Sequence, residues 1–146
     1  MVNKVIYNSY DANTGETYLV IKNKYGIFDG TSRKSPEDPF SSFAGWDCAE
    51  IKAQIQCCRE QKSKAKIKVK TLENCYKALA SVKDINEKSI EMSRFRKQIH
   101  VAKREVEEWD ATIEALKAKF WDTIKKREET IQRLSQLKKD LAPKKE

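Results

Sequence analysis

The sequence predicts an α+β protein, mostly α, in which an N-terminal three-stranded antiparallel β-meander packs on a long, coiled-coil-like antiparallel helical hairpin. Three observations predict it. From Trp46 to Ala142 there is neither glycine nor proline: all four glycines, with Pro36 and Pro39, precede that stretch, and Pro143 closes it. Within it, apolar residues recur in two stripes of alternating three- and four-residue steps. Ahead of it, short β-branched and aromatic runs alternate with turns built from Asn, Asp and Gly.

The glycine-free stretch is rich in Lys, Glu, Gln, Ala, Ile and Leu, which favour the helix. Held straight it would be about 145 Å long, so a fold-back is expected. The first stripe is Cys48, Ile51, Ile55, Cys58, Lys62, Ala65, Val69, Leu72, Tyr76 and Leu79; the second is Met92, Phe95, Ile99, Ala102, Val106, Trp109, Ile113, Leu116 and Phe120. Spacing of this kind marks helices packed along a narrow seam. Between the stripes the pattern loses phase, and Asp84 followed by Glu87 has the spacing of a capping box. The expected layout is therefore a helix over 46–82, a turn over 83–86, a helix over 87–141 and a frayed tail over 143–146, after an N-terminal region over 1–45.

Charge tests the bend independently. An antiparallel pair folded about residue 84 sets Arg59, Lys62, Lys64, Lys66, Lys68 and Lys70 against Glu105, Glu107, Glu108 and Asp110. Exposed ion pairs contribute only about 0.2–1 kcal/mol each, so their expected role is to fix register. The same arithmetic puts Trp46 beside Phe120 and Trp121, which predicts an aromatic cluster of Phe40, Phe43, Trp46, Phe120 and Trp121.

In the N-terminal region, Lys4–Tyr10, Glu16–Lys22 and Ile27–Ser32 read as strands, with Asp11–Gly15 and Asn23–Gly26 as turns. Residues 33–45, with two prolines, form a connector. Such a small sheet needs an element over its apolar face. The second helix outruns the first by about 20 residues, where Phe120, Ile124, Ile131, Leu134, Leu137 and Leu141 continue a stripe whose phase shifts after Phe120. Either the sheet covers that overhang in a monomer, or a second copy or another protein does.

Composition narrows the function. No apolar run approaches a membrane span and the N-terminus lacks the apolar core of a signal peptide, so a cytoplasmic location and no membrane partner are expected. Cys48, Cys57, Cys58 and Cys75 all fall on the first helix and are read as reduced. There is no C-x-x-C and only one histidine, His100, so no metal or cofactor is expected. Nucleophile elbow, phosphate-cradling glycine loop and H-E-x-x-H are all absent, Asp29 and Asp38 are read as turn or cap residues, and no catalytic residue is assigned.

The net charge of +8 resides in the helical region, because residues 1–45 carry five basic and five acidic side chains. With part of the Arg59–Lys70 run neutralised across the hairpin, the candidates for a partner-binding surface are Lys117, Lys119, Lys125, Lys126, Arg127, Arg133, Lys138 and Lys139. No zinc finger, RNA-recognition motif or basic-zipper pattern accompanies them.

Over residues 4–55, the Tyr25-Gly26-Ile27-Phe28-Asp29-Gly30 strand, the Pro36-Glu37-Asp38 turn and the Ala49-Glu50-Ile51-Lys52 helix start resemble a pattern in small proteins of bacteriophages and prophages of Gram-positive bacteria. No catalytic or binding residues come with that resemblance. What it implies is a phage accessory protein that acts by docking on a host or phage protein, a bacterial defence nuclease inhibited in the anti-CRISPR manner among them. The alternatives are a nucleic-acid-binding accessory protein using the basic helical face and a homodimeric coiled-coil scaffold built on the overhang.

Overall fold

The computed structural model describes residues 2–33, 42–82 and 85–142, with the side chains of 42–44 and 85–89 left aside. The chain order is β1 (Lys4–Asp11), β2 (Glu16–Asn23), β3 (Gly26–Arg33), α1 (Ser42–Ala80) and α2 (Ile85–Leu141). The sheet has the order β1-β2-β3 and is antiparallel throughout. The architecture is thus the expected α+β arrangement, a three-stranded meander packed against two long helices. It divides into two compact units, one of residues 1–57 with 115–146 and one of residues 58–114.

In the first unit, alternation along the strands supplies the buried face. Thr17, Leu19 and Ile21 of β2 and Phe28 and Ser32 of β3 are buried, while Tyr18, Val20, Ile27, Asp29 and Thr31 between them point to the other face. The register slips between Val5 and Tyr7, leaving Ile6 as a bulge on edge strand β1. Asp29 is mid-strand in β3, not in a turn or cap. Its backbone N–H donates to Gln56 Oε1 at 2.9 Å and its carboxylate accepts the Tyr18 hydroxyl at 3.0 Å. The Gln56 contact occupies a backbone group on the outer edge of the sheet with a helix side chain.

What covers the sheet is α1. Leu19, Ile21 and Phe28 share one core with Ala49, Ala53 and Cys57. These helix residues, with Gly45, recur every fourth position and are small, so the backbones approach closely. A Cβ on Gly30 would stand 1.9 Å from the Ala49 carbonyl oxygen, and one on Gly45 would stand 2.7 Å from Thr17 Oγ1. Gly45 therefore lies inside α1, which starts at Ser42 instead of after the glycine. The sheet is spent on this face of α1.

The seam residues of the first stripe face elsewhere on α1. From Cys48 to Leu79 every member is buried or half-buried, Lys62 included, and so is every member of the second stripe from Met92 to Phe120. In the second unit, Lys62 pairs with Asp110, and Glu73 with Lys103 at 3.3 Å. Partner numbers fall on α2 as they rise on α1, so the helices are antiparallel. Their sums are 172 and 176, a shift of at least four from the expected 168. The chain leaves α1 through Ser81 and Val82, whose N–H groups reach the Ala78 and Leu79 carbonyls at 3.2 and 3.1 Å. Lys83 and Asp84, and with them the expected capping box, lie outside the described residues.

The four-residue offset also revises the aromatic cluster. Phe120 stacks edge-on with Trp121 at 5.6 Å and lies under the Lys52 ammonium at 5.5 Å, well along α1 from Trp46. Trp121 is 65% exposed and Trp46 is exposed as well. Phe40 and the Phe43 side chain are outside the described set.

Candidate binding surfaces

The eight cations singled out on α2 do not converge on one patch. At 3.6 residues per turn, Lys119, Lys126 and Arg133 share the face turned away from the seam, and Asp122, Glu129 and Asp140 lie next to them. The Lys126 ammonium pairs with Asp122 at 3.1 Å. Lys125 and Lys139 flank one side and Lys138 lies toward the seam line, all exposed; Lys117 and Arg127 are half-buried. Arg127 approaches Cys48 closely enough to act on its thiol. Burial pushes that thiol above its usual range, while Arg127, Lys52 and a Ser32 hydrogen bond oppose the shift. No disulfide joins the cysteines: Cys48, Cys57 and Cys58 are buried and Cys75 is exposed.

The apolar positions of the same segment are more coherent. Ile124 and Ile131 are half-buried, whereas Leu134, Leu137 and Leu141 are 46%, 54% and 81% exposed. The change has a geometric cause. Within this unit Lys52 lies on Phe120 and Cys48 is near Arg127, sums of 172 and 175, so Ser42 at the start of α1 is level with residues 130–133 of α2. Beyond that level α2 has no α1 beside it. The sheet packs on Ala49, Ala53 and Cys57, and the stripe of Leu134, Leu137 and Leu141 is exposed, with Arg133 on one side of it and Lys138 on the other.

The charge argument for the α1 lysines is only partly upheld. Lys62 crosses to an acid of α2, Asp110, just beyond the run expected to face it, but Lys64 is taken by Glu60 of its own helix at 3.4 Å. Lys66, Lys68 and Lys70 are exposed and meet no acid among the described residues. Sequence reasoning discounted this run by pairing it with the whole acidic segment of α2; the offset register and the i,i+4 bond to Glu60 break that pairing.

Two other places carry polar or aromatic groups at the surface of the sheet. An open depression of about 440 Å³ at the β1–β2 turn is lined by Ser9, Tyr10, Asp11, Thr14, Glu16 and Tyr18. Its polar groups serve the turn: Asp11 Oδ1 accepts the Asn13 N–H at 2.9 Å and Thr14 Oγ1 the Glu16 N–H at 3.3 Å. On the outer sheet face Tyr7 and Tyr18 stack edge-on at 6.0 Å, and the bond to Asp29 raises the Tyr18 hydroxyl above its ordinary pKa. Among the described residues no group of three His, Cys, Asp or Glu side chains could hold a metal, and no helix is long and apolar enough to cross a membrane. His100 is exposed on α2.

No family model, no curated protein and no solved structure matches this chain.

Proposed function

We propose that this protein acts without catalysis, as a phage-type accessory protein that binds another protein through the last turns of α2. The observation that carries the reading is the exposure of Leu134, Leu137 and Leu141 on one helical stripe beyond the start of α1. An amphipathic helix with anchors at i, i+3 and i+7 is the form in which helices enter apolar grooves. Arg133 and Lys138 beside the anchors favour a groove with an acidic rim. The resemblance of residues 4–55 to small phage and prophage proteins supports a host or phage protein as the partner, with a defence nuclease as the target class and the host cytoplasm as the place of action.

A photo-crosslinking residue at position 137 tests this in extract of a Gram-positive host. One adduct with a single host or phage protein, abolished when Leu134 is replaced by Lys, supports the reading. An adduct at twice the 17.0 kDa of the chain would replace it with the homodimeric scaffold, and crosslinking spread over many proteins would remove it.

A further inference from the structure

The cross-hairpin pair Glu73–Lys103 organises a second surface, distinct from the end of α2. Side chains three, four or seven positions from a helical residue share its face. Among those positions on α1, Lys66, Lys70 and Lys77 stand beside Glu73 on the side away from the seam residues Val69 and Tyr76; on α2, Arg96 and His100 stand so beside Lys103, away from Ile99 and Val106. All five are exposed, and the bond between Glu73 and Lys103 puts the two sets on the same edge of the helix pair. None of Lys66, Lys70, Lys77 and Arg96 has an acid partner among the described residues. Glu73 is already engaged. The edge turns acidic at Glu107, Asp110 and Glu114, and Asp110 is taken by Lys62.

We infer that this edge binds the phosphate backbone of a nucleic-acid duplex without reading its sequence. Three of the four uncommitted cations, Lys66, Lys70 and Lys77, run along a line about 16 Å long on α1, with Arg96 of α2 alongside. A duplex presents one negative charge per about 1.7 Å of its axis, so about nine phosphates lie along that span, about half of them on the side facing the edge. The edge has no apolar anchor at these positions, which a protein interface would need at its centre. It has no exposed aromatic side chain either, which a single strand would need for base stacking. Phosphate contacts alone fix position and carry no base information.

The test is fluorescence anisotropy of the full-length chain with two labelled 20-base-pair duplexes of unrelated sequence, from 50 to 200 mM KCl. The expected result is equal affinity for both and a logarithmic salt slope of about −3, a loss of about 60-fold over that range. Replacing Lys70 and Lys77 by Gln should flatten the slope by about two units, and replacing them by Glu should abolish binding at 50 mM, with helix content unchanged by circular dichroism. Leu137→Lys should bind the duplexes as the parent does, which keeps this surface separate from the end of α2. No binding at 50 mM would overturn the inference. So would tighter binding to a single strand, displacement by polyglutamate at equal charge, or loss of binding on Lys125→Gln/Lys126→Gln with Lys70 and Lys77 intact.

Discussion

Glu73 on α1 and Lys103 on α2 meet at 3.3 Å with signs reversed relative to Lys62 and Asp110, about three helical turns away. A lysine arm laid on a glutamate arm would tolerate slippage, because any lysine could meet any glutamate. The reversal removes that freedom. Moving α2 by one heptad one way sets Lys62 against Lys117 and Glu73 against Asp110; the other way sets Lys62 against Lys103. Repeating apolar seams leave heptad slips cheap, so a mixed-sign pair is an effective means of choosing one register.

Double-mutant cycles on the two pairs check this. Lys62 is the more buried partner, at 25% against 41% for Glu73 and 58% for Lys103, so its coupling to Asp110 should be the larger, about 1 kcal/mol against about 0.3 kcal/mol for Glu73–Lys103. Urea denaturation of the singles and doubles measures both. Zero coupling at Lys62–Asp110 would contradict the role given to it.

Gly30 is the point at which the sheet meets α1 most closely. Gly30→Ala drives a methyl group onto the Ala49 carbonyl and the Ala53 nitrogen, both backbone atoms that cannot swing aside. The expected loss is about 3 kcal/mol, read as a lowered urea midpoint, and a loss under about 0.5 kcal/mol would mean that the sheet does not sit on Ala49.

The cysteines give a chemical readout of burial. A maleimide should modify Cys75 of the native protein quickly and Cys48, Cys57 and Cys58 only after unfolding. Burial raises the Cys48 thiol, so above the unfolded value of about 9.0 the folded chain keeps a proton that the unfolded chain has lost. That stabilising contribution is fully present below pH 9 and is lost as pH rises beyond it. Cys48→Ala should therefore show a shallower decline in stability between pH 8 and pH 10.5 than the parent chain; an identical decline would contradict the assignment.

Both seams were legible because a period of 3.5 to 3.6 residues survives any partner: Cys48 to Leu79 and Met92 to Phe120 all shun solvent. The strands were legible through alternation and turn residues. The sheet-facing side of α1 was not. Gly45, Ala49, Ala53 and Cys57 recur every fourth residue, but small residues carry little hydrophobic signal and glycine read as a helix boundary. Their purpose appears only against Gly30 and Thr17, far away in sequence. Register was off by four residues because the midpoint of a turn says little about how two long helices align. That offset in turn misjudged which lysines meet acids, and so the expectation for the free basic surface rested on α2 when Lys66 and Lys70 were also uncommitted.

The α2 cations should be secondary to the leucines. With helix content held, Lys125→Glu/Lys126→Glu should slow association with the protein partner and flatten its salt dependence while leaving the dissociation rate within about threefold, as charges near an interface act mainly on encounter. A dissociation rate raised by tenfold or more would place those lysines inside the interface.

The affinity of the purified partner for the chain carrying Leu134→Lys and Leu137→Lys, set beside the parent, bears most directly on the reading of α2. Apolar anchors at the centre of an interface are worth about 2 kcal/mol or more each, so affinity should fall by about 1,000-fold or more while circular dichroism and thermal midpoint stay as they were. Affinity within twofold of the parent would show that the uncovered leucines are not where the partner binds.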